Sequence, residues 1–127
     1  MEYYWNDDHT AIGVLVSRGY GAGWSTWNTP ELAYRREIVE FWKQYENKPV
    51  ALAKISTIES SPERREAVRF FRELGYTEEN LPYFGGFAKI CFEWVPVDTY
   101  WRIIEYDGNE RVEILDLSTF NYVKGEE

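Results

Sequence analysis

The sequence predicts an α+β fold: a small antiparallel sheet, built from an N-terminal strand and a C-terminal three-stranded meander, packed against two to four helices. Three observations predict it. An unbroken apolar run, Ala11 to Ser17, stands early in the chain; proline-led capping signals follow at Thr29-Pro30 and Ser61-Pro62; and after Gly86 the apolar period changes from helical spacing to two. With 127 residues, 44% hydrophobic and 28% charged, the composition fits one globular domain spanning 1–127.

The run AIGVLVS is apolar and β-branched without alternation, as a strand covered on both faces is. Arg18 to Asn28 (RGYGAGWSTWN) then brings three glycines at alternate positions and two tryptophans, a composition for a loop or tight bend. From Pro30 a helix is expected to about Glu46, with Tyr34, Ile38, Phe41, Trp42 and Tyr45 on one face, until Asn47-Lys48-Pro49 breaks it. Val50 to Ile58 suits a short helix or a strand, and helix is favoured. Ser61-Pro62-Glu63 caps a further helix with Ala67, Val68, Phe71 and Leu74 inward and Gly75 as its stop. A helical turn and a loop fill Tyr76 to Gly86.

Ile90, Phe92 and Trp94 alternate along a strand that ends at Val95-Pro96-Val97-Asp98. Tyr100 to Tyr106 and Arg111 to Leu117 form a hairpin about Asp107-Gly108. A two-residue turn sets Arg102 opposite Glu113 and Trp101 opposite Ile114, but also Glu105 opposite Glu110; a three-residue loop would pair Glu105 with Arg111, so the register stays open. Lys124 to Glu127 is expected to fray.

Aromatic residues reach 18%, more rings than a small core easily hides, so some should line a cavity or an interface while others replace Leu in the core. A net charge of -8 and a pI near 4.7 argue against direct nucleic-acid binding and suit either plain solubility or docking onto a basic surface. The single cysteine, Cys91, excludes an internal disulfide and a cysteine metal site, and reads as an inert small hydrophobe rather than a nucleophile. No basic leader segment precedes an apolar one in Met1 to His9, and no run has the length of a membrane span, so a cytoplasmic protein without membrane contact is expected. His9, the sole histidine, rules out sites needing two imidazoles and falls in an N-terminus expected to be mobile; Asp7-Asp8-His9 reads as a solvated patch rather than a weak metal site.

The glycine loop runs from strand to helix, as phosphate cradles do. It lacks the lysine of G-x-x-x-x-G-K-[ST], and Trp24 and Thr26 stand where G-x-G-x-x-G would need its third glycine. What remains is a ligand-approaching loop or, alternatively, a bend whose tryptophans plug the core. On the first reading Tyr20, Trp24 and Trp27 stack on a flat ligand, Gly21 and Gly23 bring backbone close, and Ser25, Thr26 and Asn28 hydrogen-bond it, with Arg102 and Tyr106 contributed by the hairpin. No catalytic residue, metal or cofactor is assigned. Glu93, Glu105, Asp107 and Glu110 could supply a carboxylate pair, yet each also suits an exposed strand face. Arg35-Arg36 and Arg64-Arg65, laced with glutamates, read as solvated helix faces.

Two blocks, IGVLVSRGYGAGWSTWN (Ile12 to Asn28) and EWVPVDTYWRIIEYDGNE (Glu93 to Glu110), resemble a widespread group of small bacteriophage proteins carrying a GYGAGWSTWN loop and later EWVP and EYDG elements. They cover about a quarter of the chain; the second departs from the pattern at Asp98 and Tyr100, and Lys48 to Gly86 has no counterpart. The resemblance implies a phage or prophage origin, hence the cytoplasm of an infected bacterium, and a fold that joins loop to hairpin. It brings no activity or substrate. The resulting expectation is a non-enzymatic counter-defence protein that sequesters a nucleotide-like immune signal. The alternatives are an acidic, anti-CRISPR-like inhibitor of a host defence nuclease and a small hydrolase using meander carboxylates. Pairing of protomers through a strand edge or aromatic patch is compatible with each.

Overall fold

The structure, a computed structural model, describes residues 2–115. The end of the expected last strand at Leu117 and the tail Lys124 to Glu127 lie outside the described residues. The early apolar run forms β1 (Ala11–Ser17), buried from Ile12 onward. Its ladder partner is β2 (Ile90–Pro96), antiparallel, with Ala11 opposite Pro96 and Ser17 opposite Ile90. The other edge of β1 is covered as well: the Gly13 N–H donates to the Tyr4 carbonyl at 2.7 Å and Trp5 bridges to Ile12. Residues 2–6 are therefore tied down where a mobile N-terminus was expected, Tyr4, Trp5 and Asn6 to β1 and Glu2 and Tyr3 to Arg36 and Arg35, and His9 stacks on Trp5 at 5.0 Å.

β3 (Tyr100–Tyr106) and β4 (Asn109–Leu115) form a separate two-stranded sheet. The α+β class holds, but one sheet with a three-stranded meander does not: β2 pairs with β1 and not with β3, and the chain turns away after β2 through Asp98 at φ 61°. Asp107 and Gly108 both take positive φ, 48° and 84°, the signs a two-residue type I′ turn requires. The open register is thereby decided: Arg102 faces Glu113, Trp101 faces Ile114 and Glu105 faces Glu110.

Pro30 opens only a short 3-10 turn ending at Ala33. Arg35 is extended, bridging Tyr3, while the Arg36 N–H donates to the Glu2 carbonyl, so α1 (Arg36–Lys43) starts late and the single long helix is split. Tyr34 leaves its expected helix face as a result. α2 (Pro49–Thr57) shows the ambiguous Val50 to Ile58 stretch to be helical. α3 (Pro62–Glu73) starts on a Ser61 hydroxyl that accepts the Arg64 N–H at 3.0 Å, and Gly75, at φ 105°, follows its end.

Two apolar clusters meet at β1. Leu15 points into the larger one, among Ile38, Trp42, Ile55, Phe71 and Phe87 from the helical side. Val14 and Val16 belong to a smaller one that holds Trp101, Ile103 and Val112 of the hairpin. Burial on both faces is the reason β1 needs an uninterrupted apolar sequence. Among the described residues, no helix is long and apolar enough to cross a membrane.

Candidate functional site

The glycine loop leaves β1 at Ser17 and wraps around one side chain of the hairpin, Glu110, which is fully buried. Its Oε1 accepts the Ser17 N–H at 2.8 Å. Its Oε2 accepts the Trp24 N–H at 2.8 Å, the Thr26 N–H at 3.0 Å and the Thr26 hydroxyl at 2.5 Å. No lysine or arginine makes an ion pair with it among the described residues. Oriented backbone amides supply what a cation otherwise would, as in the anion nests of phosphate-binding loops. A carboxylate buried without such donors would cost several kcal/mol, so loop and hairpin stabilise each other through this one group.

The glycines make the wrap possible. A Cβ on Gly23 would lie 2.7 Å from Thr26 Oγ1 and 3.1 Å from Glu110 Oε2, inside the nest. At the hairpin tip, a Cβ on Gly108 would overlap the Ala22 backbone, and the Gly21 N–H donates to the Asp107 carbonyl at 2.6 Å. Loop and EYDG hairpin do meet. Their meeting point is an anion cradle already filled from within, which explains why the loop resembles a phosphate site yet lacks its lysine.

The expected ligand-contact residues are dispersed by this arrangement. Trp24 is fully buried against Phe71, Phe84 and Phe87, its indole N–H donating to the Leu32 carbonyl at 2.9 Å, so its ring has no face for a ligand. Trp27 is exposed but stacks on Tyr83 at 6.0 Å and donates to Glu105 at 2.8 Å. Asn28 clamps the chain at Tyr83, accepting its N–H and donating to its carbonyl. Tyr20 and Tyr106 meet edge to face at 6.4 Å beside Arg111, in a second hollow. Gly21 and Gly23 serve the Glu110 wrap.

Ser25, Thr26 and Arg102 do converge, in a groove of about 360 Å³ along the β3 edge that, among the described residues, has no strand partner. Its rings are Tyr34 and Trp101, 6.1 Å apart and perpendicular, and Pro30 and Ile103 complete its apolar wall. Neither ring was assigned to a ligand from the sequence. Tyr34 looked like a helix-face residue, and only the break at Arg35 turns it here. Burial, with Tyr3 and Glu31 nearby, pushes the Tyr34 phenol above its ordinary pKa and keeps it a neutral donor at physiological pH. Arg102 Nε and Nη2 reach Glu113 Oε1 at 2.9 and 2.7 Å across the exposed face, which holds the guanidinium at the groove mouth with Nη1 uncommitted to that pair.

The carboxylates of the hairpin are separately engaged. Glu93 pairs with Arg18 at 3.3 Å, and Glu105 accepts from the Trp27 indole and the Gly108 N–H, which hold it below the usual carboxylate pKa range. Cys91, expected as an inert hydrophobe, stands exposed on β2 opposite Val16. Arg64, expected in solvent, is half buried: its guanidinium donates to the Ile55 and Ser56 carbonyls and lies 5.0 Å from the Phe84 ring centre. No group of three or more metal-ligating side chains occurs among the described residues. The chain matches no protein-family model, no curated protein and no solved structure.

Proposed function

We propose that this chain is a binding protein whose β3-edge groove holds a flat, anionic small molecule of nucleotide type. One observation carries the reading: Tyr34 and Trp101 present rings and Arg102 presents a guanidinium to a single groove of about 360 Å³ that Ser25 and Thr26 also line. Small-ligand sites are commonly apolar hollows of this order with a few converging polar groups. A ring slotted against Trp101 would place an attached phosphate toward Arg102, where the guanidinium fork suits its oxygens. Within a bacteriophage, the same chemistry would serve counter-defence by sequestering a nucleotide-like immune signal without consuming it.

The test is retention and recovery. The protein is incubated with a panel of cyclic and ADP-ribose-derived nucleotides, freed of unbound ligand and heated, and the released compound is identified by mass. An intact nucleotide, retained by the parent protein and lost in Trp101→Ala and Arg102→Ala, is the expected outcome. No retention across the panel, or retention indifferent to both substitutions, sinks the reading.

A second reading, an acidic inhibitor docked on a host defence protein, is favoured by the outward exposure of Tyr20, Tyr100 and Tyr106 on a chain of net charge -8. It would yield a salt-sensitive complex that survives Trp101→Ala but not removal of these tyrosines.

A further inference from the structure

A different part of the molecule carries charge of the opposite sign. Four of the chain's 14 basic residues, Arg64, Arg65, Arg69 and Arg72, fall within α3. On the helix, Arg65, Arg69 and Arg72 repeat at spacings of four and three, so they share one flank, while Glu66 and Glu73 fall on the neighbouring one. Between the basic flank and the segment Leu81–Phe84 runs a groove of about 350 Å³. Its apolar side is made by Val68, Leu81, Pro82 and Phe84, its charged side by Arg64, Arg65 and Arg72 with Glu59 and Glu78, which leaves one more cation than anion.

The three guanidiniums are unequally committed. Arg64 is pinned by the Ile55 and Ser56 carbonyls, which also close the end of α2, and is held over the Phe84 ring. Arg72 meets Glu78 at the rim. Arg65 is exposed and makes no ion pair among the described residues. An exposed guanidinium without an ion pair among the described residues, beside an apolar wall and in a protein with a large acidic excess, suits an anionic occupant.

We propose that this groove is a binding site, separate from the β3-edge groove, for a small organic anion: a phosphate or carboxylate facing Arg65 and Arg72, joined to an apolar or aromatic body lying against Val68 and Leu81. Guanidinium forks match both anions bidentately, so the chemistry admits either source.

Titrating the isotope-labelled full chain with phenyl phosphate, benzoate and neutral benzyl alcohol, while following backbone amide signals, tests the site. Saturable shifts at Val68, Arg72 and Phe84 are expected with at least one anion and not with the alcohol; phenyl phosphate alone assigns a phosphate ligand, benzoate alone a carboxylate. Arg65→Ala and Arg72→Ala should each weaken binding by about tenfold, the loss of one charge-assisted contact. Arg102→Ala should leave it unchanged, which separates this site from the proposed nucleotide groove. Both arginines are exposed, and an otherwise unaltered spectrum verifies that the variants fold. Absence of saturable shifts with either anion, equal shifts with the alcohol, or indifference to both arginine substitutions overturns the proposal.

Discussion

The two ribbons of this protein have equal strand lengths and opposite means of support. β1–β2 is held by what its first strand buries: Val14, Leu15 and Val16 are fully enclosed, and the ladder lies between the helical core and the hairpin. β3–β4 keeps one face in solvent, with Tyr100 and Tyr106 66% and 77% exposed. A two-stranded hairpin is marginal in water by itself. It is secured on its inner face by Trp101, Ile103 and Val112 and at its turn by the Glu110 carboxylate inside the glycine loop. One ribbon is an apolar core element, whereas the other depends on a polar clasp, so each should fail differently.

The largest effect is expected in the first ribbon. Leu15→Ala leaves a cavity between β1 and the helices and should cost about 2–5 kcal/mol, read as a lowered urea midpoint in which both ribbons unfold together. Glu110→Gln comes next, at about 1–3 kcal/mol, because an amide donor now faces the Trp24 and Thr26 N–H groups. Amide exchange should quicken in β3–β4 well before β1–β2; equal acceleration in both would break the contrast drawn here. Arg102→Ala should cost less than about 1 kcal/mol, since its pair with Glu113 is exposed, and should lower ligand retention without moving the urea midpoint much.

The smallest expected effect is a titration. Hydrogen bonds from Trp27 and Gly108 hold the Glu105 pKa below its ordinary 4.5. The contact is therefore fully made above that value and lost as pH falls through the lower folded-state pKa. Trp27 fluorescence, followed in a variant lacking other exposed tryptophans, should change only in that acid range and stay flat through neutrality. A midpoint at or above 4.5 would show that the contact does not favour the ionised carboxylate.

Much of this architecture was legible in the residues. Local chemistry announced the Ser61 cap, the Gly75 stop and the Asp107-Gly108 turn, because each depends on near neighbours. The β1 run announced burial on both faces. What the sequence hid were choices made between distant segments. Nothing local reveals that Arg35 will leave its helix to bridge Tyr3, and so Tyr34 could not be placed beside Trp101. The division into two sheets, with β2 paired to the distant β1 and not to the adjacent β3, is again a long-range outcome. The role of Glu110 left one trace, the like-charged pairing with Glu105 that the two-residue turn imposes. Such a pairing opposite a strand would ordinarily be disfavoured unless each carboxylate had its own donors, and here each does.

That same pairing bears on how the chain reaches its native state. Taken alone, the hairpin sequence would gain by slipping one residue and setting Glu105 against Arg111, and a slip of one turns every side chain to the opposite face. The Asp107-Gly108 turn and the burial of Trp101, Ile103 and Val112 oppose that slip, and the glycine loop, more than eighty residues upstream, adds to the native alignment by accepting Glu110. Full stabilisation of that alignment thus waits on a contact of high sequence separation, which places completion of the hairpin among the slower steps of folding. A peptide covering 97–115 should populate mixed alignments in solution, and the intact chain a single one.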